Sequence, residues 1–108
     1  VTGKELLDTV FKTLHDSRFP DLKYWVGDRT GCTEFLPDPD DFRKIAALMK
    51  EKSFRNPGML LALVSPKDIE YGMSRMYQIF QEGSLFKTEV FRDRASAEKW
   101  IKQELKTT

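Results

Sequence analysis

Apolar residues recur along the chain in four stretches at helical spacing, and three short apolar stretches lie between them. Leu6, Leu7, Val10, Phe11 and Leu14 fall on one helical face. Thr2 and Glu5 stand three residues apart before that face, the spacing of a capping box. The helix should stop near His15, because "DSRFPD" carries a proline and turn formers. "LKYWV" (22–26) then reads as a short aromatic strand.

The second helix is announced by Asp38 as a cap and Pro39 at its first position, with Asp40 and Asp41 suiting the positive helix end. Phe42, Ile45, Ala46 and Met49 form its buried stripe. "RNPG" (55–58) breaks the chain. "MLLALV" (59–64) is apolar at every position, as a central strand covered on both faces should be. Ser65 and Pro66 predict the cap and first turn of a third helix with Ile69, Met73, Met76 and Phe80 inward. Gly72 beside that stripe suggests a close approach to the sheet. "LFKTEVF" (85–91) is the third strand, with Phe86, Thr88 and Val90 on one face. Asp93 caps a last helix whose inner face is Ala97, Trp100, Ile101 and Leu105.

Helices and strands alternate, and each connection between strands holds a helix. This predicts an α/β layered fold, a mainly parallel sheet flanked by helices. At 108 residues the chain should form one domain, residues 1–108.

Composition narrows the function. Eighteen basic and seventeen acidic residues leave a net charge of +1, which argues against a nucleic-acid binder relying on a basic field. The lone Cys32 permits no internal disulfide, and with one His there is no usual structural zinc set. The longest apolar run is far short of the ~20 residues of a membrane helix, so no membrane insertion is expected. "VTGKELL" lacks the features of a signal peptide, and a cytoplasmic protein is expected. No cofactor motif appears, and neither a phosphate loop nor a nucleophile elbow.

Several segments resemble a family of small bacterial proteins. "LALVSPKDIEYGMSRMYQIF" is similar to their apolar strand, Ser/Pro turn and Tyr-Gly-x-x-Arg-Met-Tyr helix. "TEVFRDRASAEKWI" resembles their strand, Phe-Arg-Asp turn and Ala-x-x-Trp helix, and "DLKYWVGDRTG" their middle strand. "VTGKELLDTVF" resembles their first helix, which usually follows a β-hairpin. These are the SpoIIAA-like, or STAS-like, proteins, related in fold to anti-sigma-factor antagonists. The resemblance implies a SpoIIAA-like fold with a strand or hairpin preceding Val1. It carries no catalytic residues across.

In a parallel sheet, ligands gather at the carboxyl ends of the strands. Three loops should meet there: one with Asp28, Arg29 and Thr30, one with Ser65, Lys67 and Asp68, and one with Arg92, Asp93 and Arg94. Three helix starts point the same way, the general recipe for an anion site, although Asp38, Ser65 and Asp93 can satisfy those N–H groups themselves. "DRTG" matches the antagonists' phosphorylated Asp-Ser-Ser/Thr-Gly at Asp28, Thr30 and Gly31, which makes Thr30 the candidate phosphorylation site. Arg29 stands where the first Ser belongs, and the next helix is delayed to Asp38, so a plain turn is the competing reading. Tyr71 and Arg75 lie one turn apart on the outer face of the third helix, with Gln78 beside them, as a docking patch or an ordinary solvated face.

The leading expectation is a non-enzymatic, STAS-like regulatory domain acting through protein contacts, with an unknown protein partner and a possible homodimer. The alternative is a small apolar-ligand or lipid-binding module with a groove between the first helix and the sheet.

Overall fold

The computed structural model describes residues 3–28 and 39–106. Elements follow in the order α1 (Gly3–Leu14), β1 (Tyr24–Asp28), α2 (Pro39–Lys52), β2 (Leu60–Val64), α3 (Asp68–Phe80), β3 (Lys87–Phe91) and α4 (Arg94–Lys106). Single 3₁₀ turns cover Phe19–Asp21 and Ser53–Arg55. The three strands form a parallel sheet in the order β1-β2-β3, with Tyr24 opposite Leu60 and Leu60 opposite Lys87.

The strand period of two divides the apolar residues of β2 between two cores. Leu61 packs with α1, α2 and α3 residues, among them Val10, Leu14, Phe42, Ile45, Met49 and Tyr77. Leu60, Ala62 and Val64 face the other way, onto Ala97 and Ile101 of α4. One face of the sheet thus carries three helices and the other carries one. Phe42, Ile45, Ala46 and Met49 are all buried, as their spacing predicts. Central placement of β2 also follows the sequence expectation.

Other expectations are corrected. The first strand begins at Tyr24 rather than Leu22 and takes in Gly27 and Asp28. The third begins at Lys87, and Leu85 is left exposed. Phe11 is half exposed and stacks on His15 at 4.0 Å instead of entering the core. Leu105 is exposed at the end of α4.

The largest correction concerns α3. Its buried residues are Glu70, Ser74 and Tyr77, while Ile69 is 74% exposed. Met73, Met76 and Phe80 flank the core as half-buried residues. The helix starts at Asp68, with Lys67 as its cap residue, and its buried face lies about one position from the expected stripe. Ser65 therefore caps nothing. Its hydroxyl instead pairs with that of Ser74 at 2.7 Å. A side chain at Gly72 would meet nothing within 4 Å, so no close approach to the sheet requires this glycine.

The loop around Pro20 is more than punctuation. Phe19 is wholly buried there, in an edge contact with Phe86. Asn56 secures it: Nδ2 donates to the Phe19 and Leu22 carbonyls at 2.9 and 2.8 Å. Gly58 then turns the chain into β2 with φ +82°, a conformation that favours glycine.

Candidate functional site

The parallel strands bring the ends of β1, β2 and β3 to one edge of the molecule, where they are tied to each other. The Ser65 N–H donates to the Phe91 carbonyl at 2.8 Å, which joins the exits of β2 and β3. Arg92, just past β3, donates through Nη1 to Asp68 Oδ1 at 2.6 Å and lies over the Tyr71 ring, 4.0 Å from its centroid. Arg94, in the first turn of α4, donates to Asp28 Oδ2 at 3.2 Å and to Glu98 Oε1 at 3.2 Å. Asp28 first, and Glu98 after it, hold the Arg94 pKa above its ordinary value. Asp93 caps α4 as expected, accepting the Ser96 N–H at 2.7 Å.

Of the residues singled out in the sequence, Asp28 and Arg94 thus meet directly, and Arg92 meets Tyr71. The two arginines carry carboxylate counterions supplied by the same strand ends. Lys67 is exposed beside them at the start of α3. Arg75 is not the partner of Tyr71. It donates to Gln78 Oε1 at 3.0 Å, and Gln78 in turn donates to the Thr88 carbonyl at 2.8 Å. The expected Tyr71–Arg75 pair is replaced because Arg92 arrives from β3 and covers the tyrosine. Arg29, Thr30 and Cys32 lie outside the described residues, as do Thr2 and Asp38.

Behind this edge lies a cavity of about 290 Å³. Helix α1 contributes Leu6, Thr9 and Val10 to its wall; β1 contributes Trp25 through Asp28. Phe42, Ile45 and Met49 come from α2, Leu61 and Leu63 from β2, Ser74 and Tyr77 from α3. This is the space between the first helix and the sheet where the sequence analysis places an apolar groove. It arises because three helices cover three short strands, and the half-exposed side chains of β1 do not fill the angle between α1 and the sheet. Its size is at the lower end of the ~300–1,000 Å³ usual for ligand pockets.

Two of the polar residues on the cavity wall, Ser74 and Tyr77, come from α3 and are not legible from apolar spacing. Ser74 is buried and bonded to Ser65. Glu70, one turn earlier on the same face, is only 4% exposed, and its Oε1 has no partner among the described residues. Tyr77 is 5% exposed, and burial pushes its phenol pKa up.

A larger cleft of about 490 Å³ lies at the opposite end of the sheet, beside Asn56, Gly58 and the Lys87–Glu104 ion pair. It opens at the amino ends of the strands, away from the end where α/β sheets hold their ligands. No group of three or more His, Cys, Asp or Glu among the described residues is placed to hold a metal ion. No helix among them is long and apolar enough to cross a membrane.

Fold and site together define a small α/β domain: a three-stranded parallel sheet flanked by helices, with a partly open, mainly apolar pocket next to a charged edge. Comparisons with known protein families, with curated proteins and with solved structures found no match.

Proposed function

We propose that this is a non-enzymatic binding domain of the SpoIIAA-like, STAS-like type, and that it holds a small apolar molecule between α1, α2, α3 and the sheet. The cavity carries this reading: nine of its fourteen wall residues are Leu, Val, Ile, Met, Phe or Trp, and these nine come from four separate elements. Enclosure by apolar side chains with a few polar groups is the common form of a small-molecule site. The SpoIIAA-like assignment rests on the sequence segments quoted above and on the α/β architecture. Native mass spectrometry of freshly purified protein tests the binding reading. A co-purified small molecule, released on denaturation, is the expected result. An empty chain that also takes up no added apolar compound would count against it.

A second reading, a bacterial, cytoplasmic regulator acting through protein contacts, is supported by the outer edge of β1. No strand among the described residues pairs with that edge. Tyr24 on it is 47% exposed. An open strand edge is a template for pairing with another chain, including a second copy. Analytical ultracentrifugation of the wild-type chain and of Val26→Pro, which removes a strand N–H, distinguishes a β1-mediated homodimer from a monomer.

A further inference from the structure

Granted the ligand-binding reading above, we infer that the cavity selects uncharged molecules bearing one hydrogen-bond-accepting oxygen, and that Tyr77 is the residue that recognises that oxygen. The apolar wall provides affinity without discrimination. Charge and hydrogen bonding provide the selectivity.

Among the described wall residues none is Lys or Arg, and Asp28 is the single charged one. Asp28 already accepts from Arg94 at 3.2 Å. A ligand carboxylate would lose its hydration here and find no lysine or arginine in the described wall, only the Asp28 carboxylate already paired with Arg94. A ligand ammonium would have to compete with the guanidinium that Asp28 already holds. Neutral ligands avoid both costs.

The free hydroxyl on the described wall is that of Tyr77. Its hydroxyl has no partner among the described residues. A buried tyrosine hydroxyl ordinarily finds one. With 5% of the residue exposed, the open space that Tyr77 borders is this cavity. The ring is steadied by an edge contact with Phe42 at 6.3 Å between centroids. The phenol is a neutral donor at physiological pH, and burial only raises its pKa further. The other wall hydroxyls are engaged: Thr9 donates back to the Glu5 carbonyl at 3.0 Å, and Ser74 is paired with Ser65. A volume near 290 Å³ is about twice that of the ~150 Å³ apolar cavity known to take a benzene ring, so two fused rings set the scale of the ligand.

The experiment titrates wild-type protein and Tyr77→Phe with naphthalene, 2-naphthol, 2-naphthoate and 2-naphthylmethylammonium at neutral pH. Calorimetry is read together with the fluorescence of Trp25 in a Trp100→Phe background. Wild-type protein should bind one 2-naphthol per chain and bind both charged analogues at least about tenfold more weakly. Tyr77→Phe should weaken 2-naphthol roughly three- to tenfold and leave naphthalene unchanged. Equal affinity for 2-naphthol and 2-naphthoate, or no effect of Tyr77→Phe on 2-naphthol, overturns the selectivity while leaving a ligand site in place. If Tyr77→Phe also loses naphthalene, the ranking of the analogues by the wild-type chain decides. If wild-type protein binds none of the four, the ligand-binding reading falls with it.

Discussion

The hydroxyls of Ser65 and Ser74, nine residues apart, share a buried 2.7 Å hydrogen bond that fixes the exit of β2 against the middle of α3. Removing one hydroxyl leaves the other buried without this partner, at a cost of about 1–3 kcal/mol. Ser65→Ala and Ser74→Ala should each fall in that range. The double variant should lose clearly less than the sum, because no orphaned hydroxyl is left. Urea unfolding of the four proteins gives the coupling directly. Additive losses would show that the two groups act independently.

Asn56 bridges two carbonyls of the loop that precedes β1, tying it to the segment that leads into β2. Asn56→Ala should destabilise the chain by about 1–3 kcal/mol, from two lost hydrogen bonds, although the Phe19 carbonyl keeps the Leu22 N–H as a donor. Asn56→Asp should be no rescue, because a carboxylate cannot donate. Equilibrium denaturation checks both. A loss below about 0.5 kcal/mol in Asn56→Ala would show that solvent replaces the bridge.

Rotation of α3 has a simple mutational signature. Ile69→Lys should change stability by less than about 0.5 kcal/mol, since Ile69 is 74% exposed. Leu61→Ala, directed at the same core from β2, should cost about 2–5 kcal/mol. Thermal or urea melts of the two variants decide it. A large loss at Ile69 would restore the helix face that the sequence spacing suggests.

Two carboxylates set an acid limb of stability. Side-chain and backbone hydrogen bonds from Arg18 hold the Asp16 pKa well below its ordinary 3.8, and the Ser96 N–H lowers that of Asp93. A folded-state pKa below the unfolded value means the stabilisation is complete above the unfolded pKa. It is lost as pH falls through the folded one. The denaturation midpoint of Asp16→Ala/Asp93→Ala should therefore trail the wild type at neutral pH. The gap should close below about pH 4. A gap unchanged down to pH 2 would remove the linkage.

How far the fold could be read from the sequence depended on whether a residue's role was set by its neighbours in the chain. The stripe Phe42, Ile45, Ala46 and Met49, the all-apolar β2 and the Asp93 cap are local patterns, and the structure reproduces them. Phe19 and Asn56 were missed because each is defined by a partner more than thirty residues away. Ser65 was misread because a Ser-Pro pair before a helix is a cap by local rules, and a hydroxyl on the next helix took it instead. Asp28, Arg92 and Arg94 do converge at one end of the sheet, as parallel topology requires. Their pairing into Asp28–Arg94 and Arg92–Asp68 followed from strand order, which spacing does not fix. Tyr77 and Ser74 on the cavity wall are not legible in the α3 stripe, which includes Met73, Met76 and Phe80 at the core's margin but also the exposed Ile69, one position away from the buried face of Glu70, Ser74 and Tyr77.

The apolar character of β2 on both faces leaves that strand's polarity pattern indifferent to a slip of one residue. Such a slip would exchange Leu61 and Leu63 with Leu60, Ala62 and Val64, a change of side-chain volume in each core but not of polarity. Contacts outside the strand add to what packing volume specifies. On one side the left-handed turn at Gly58 and the anchor at Asn56 fix where β2 begins. On the other, Ser65 meets Ser74 only when the strand ends where it does. The most hydrophobic segment of the molecule thus owes its place in part to three small residues at its two ends.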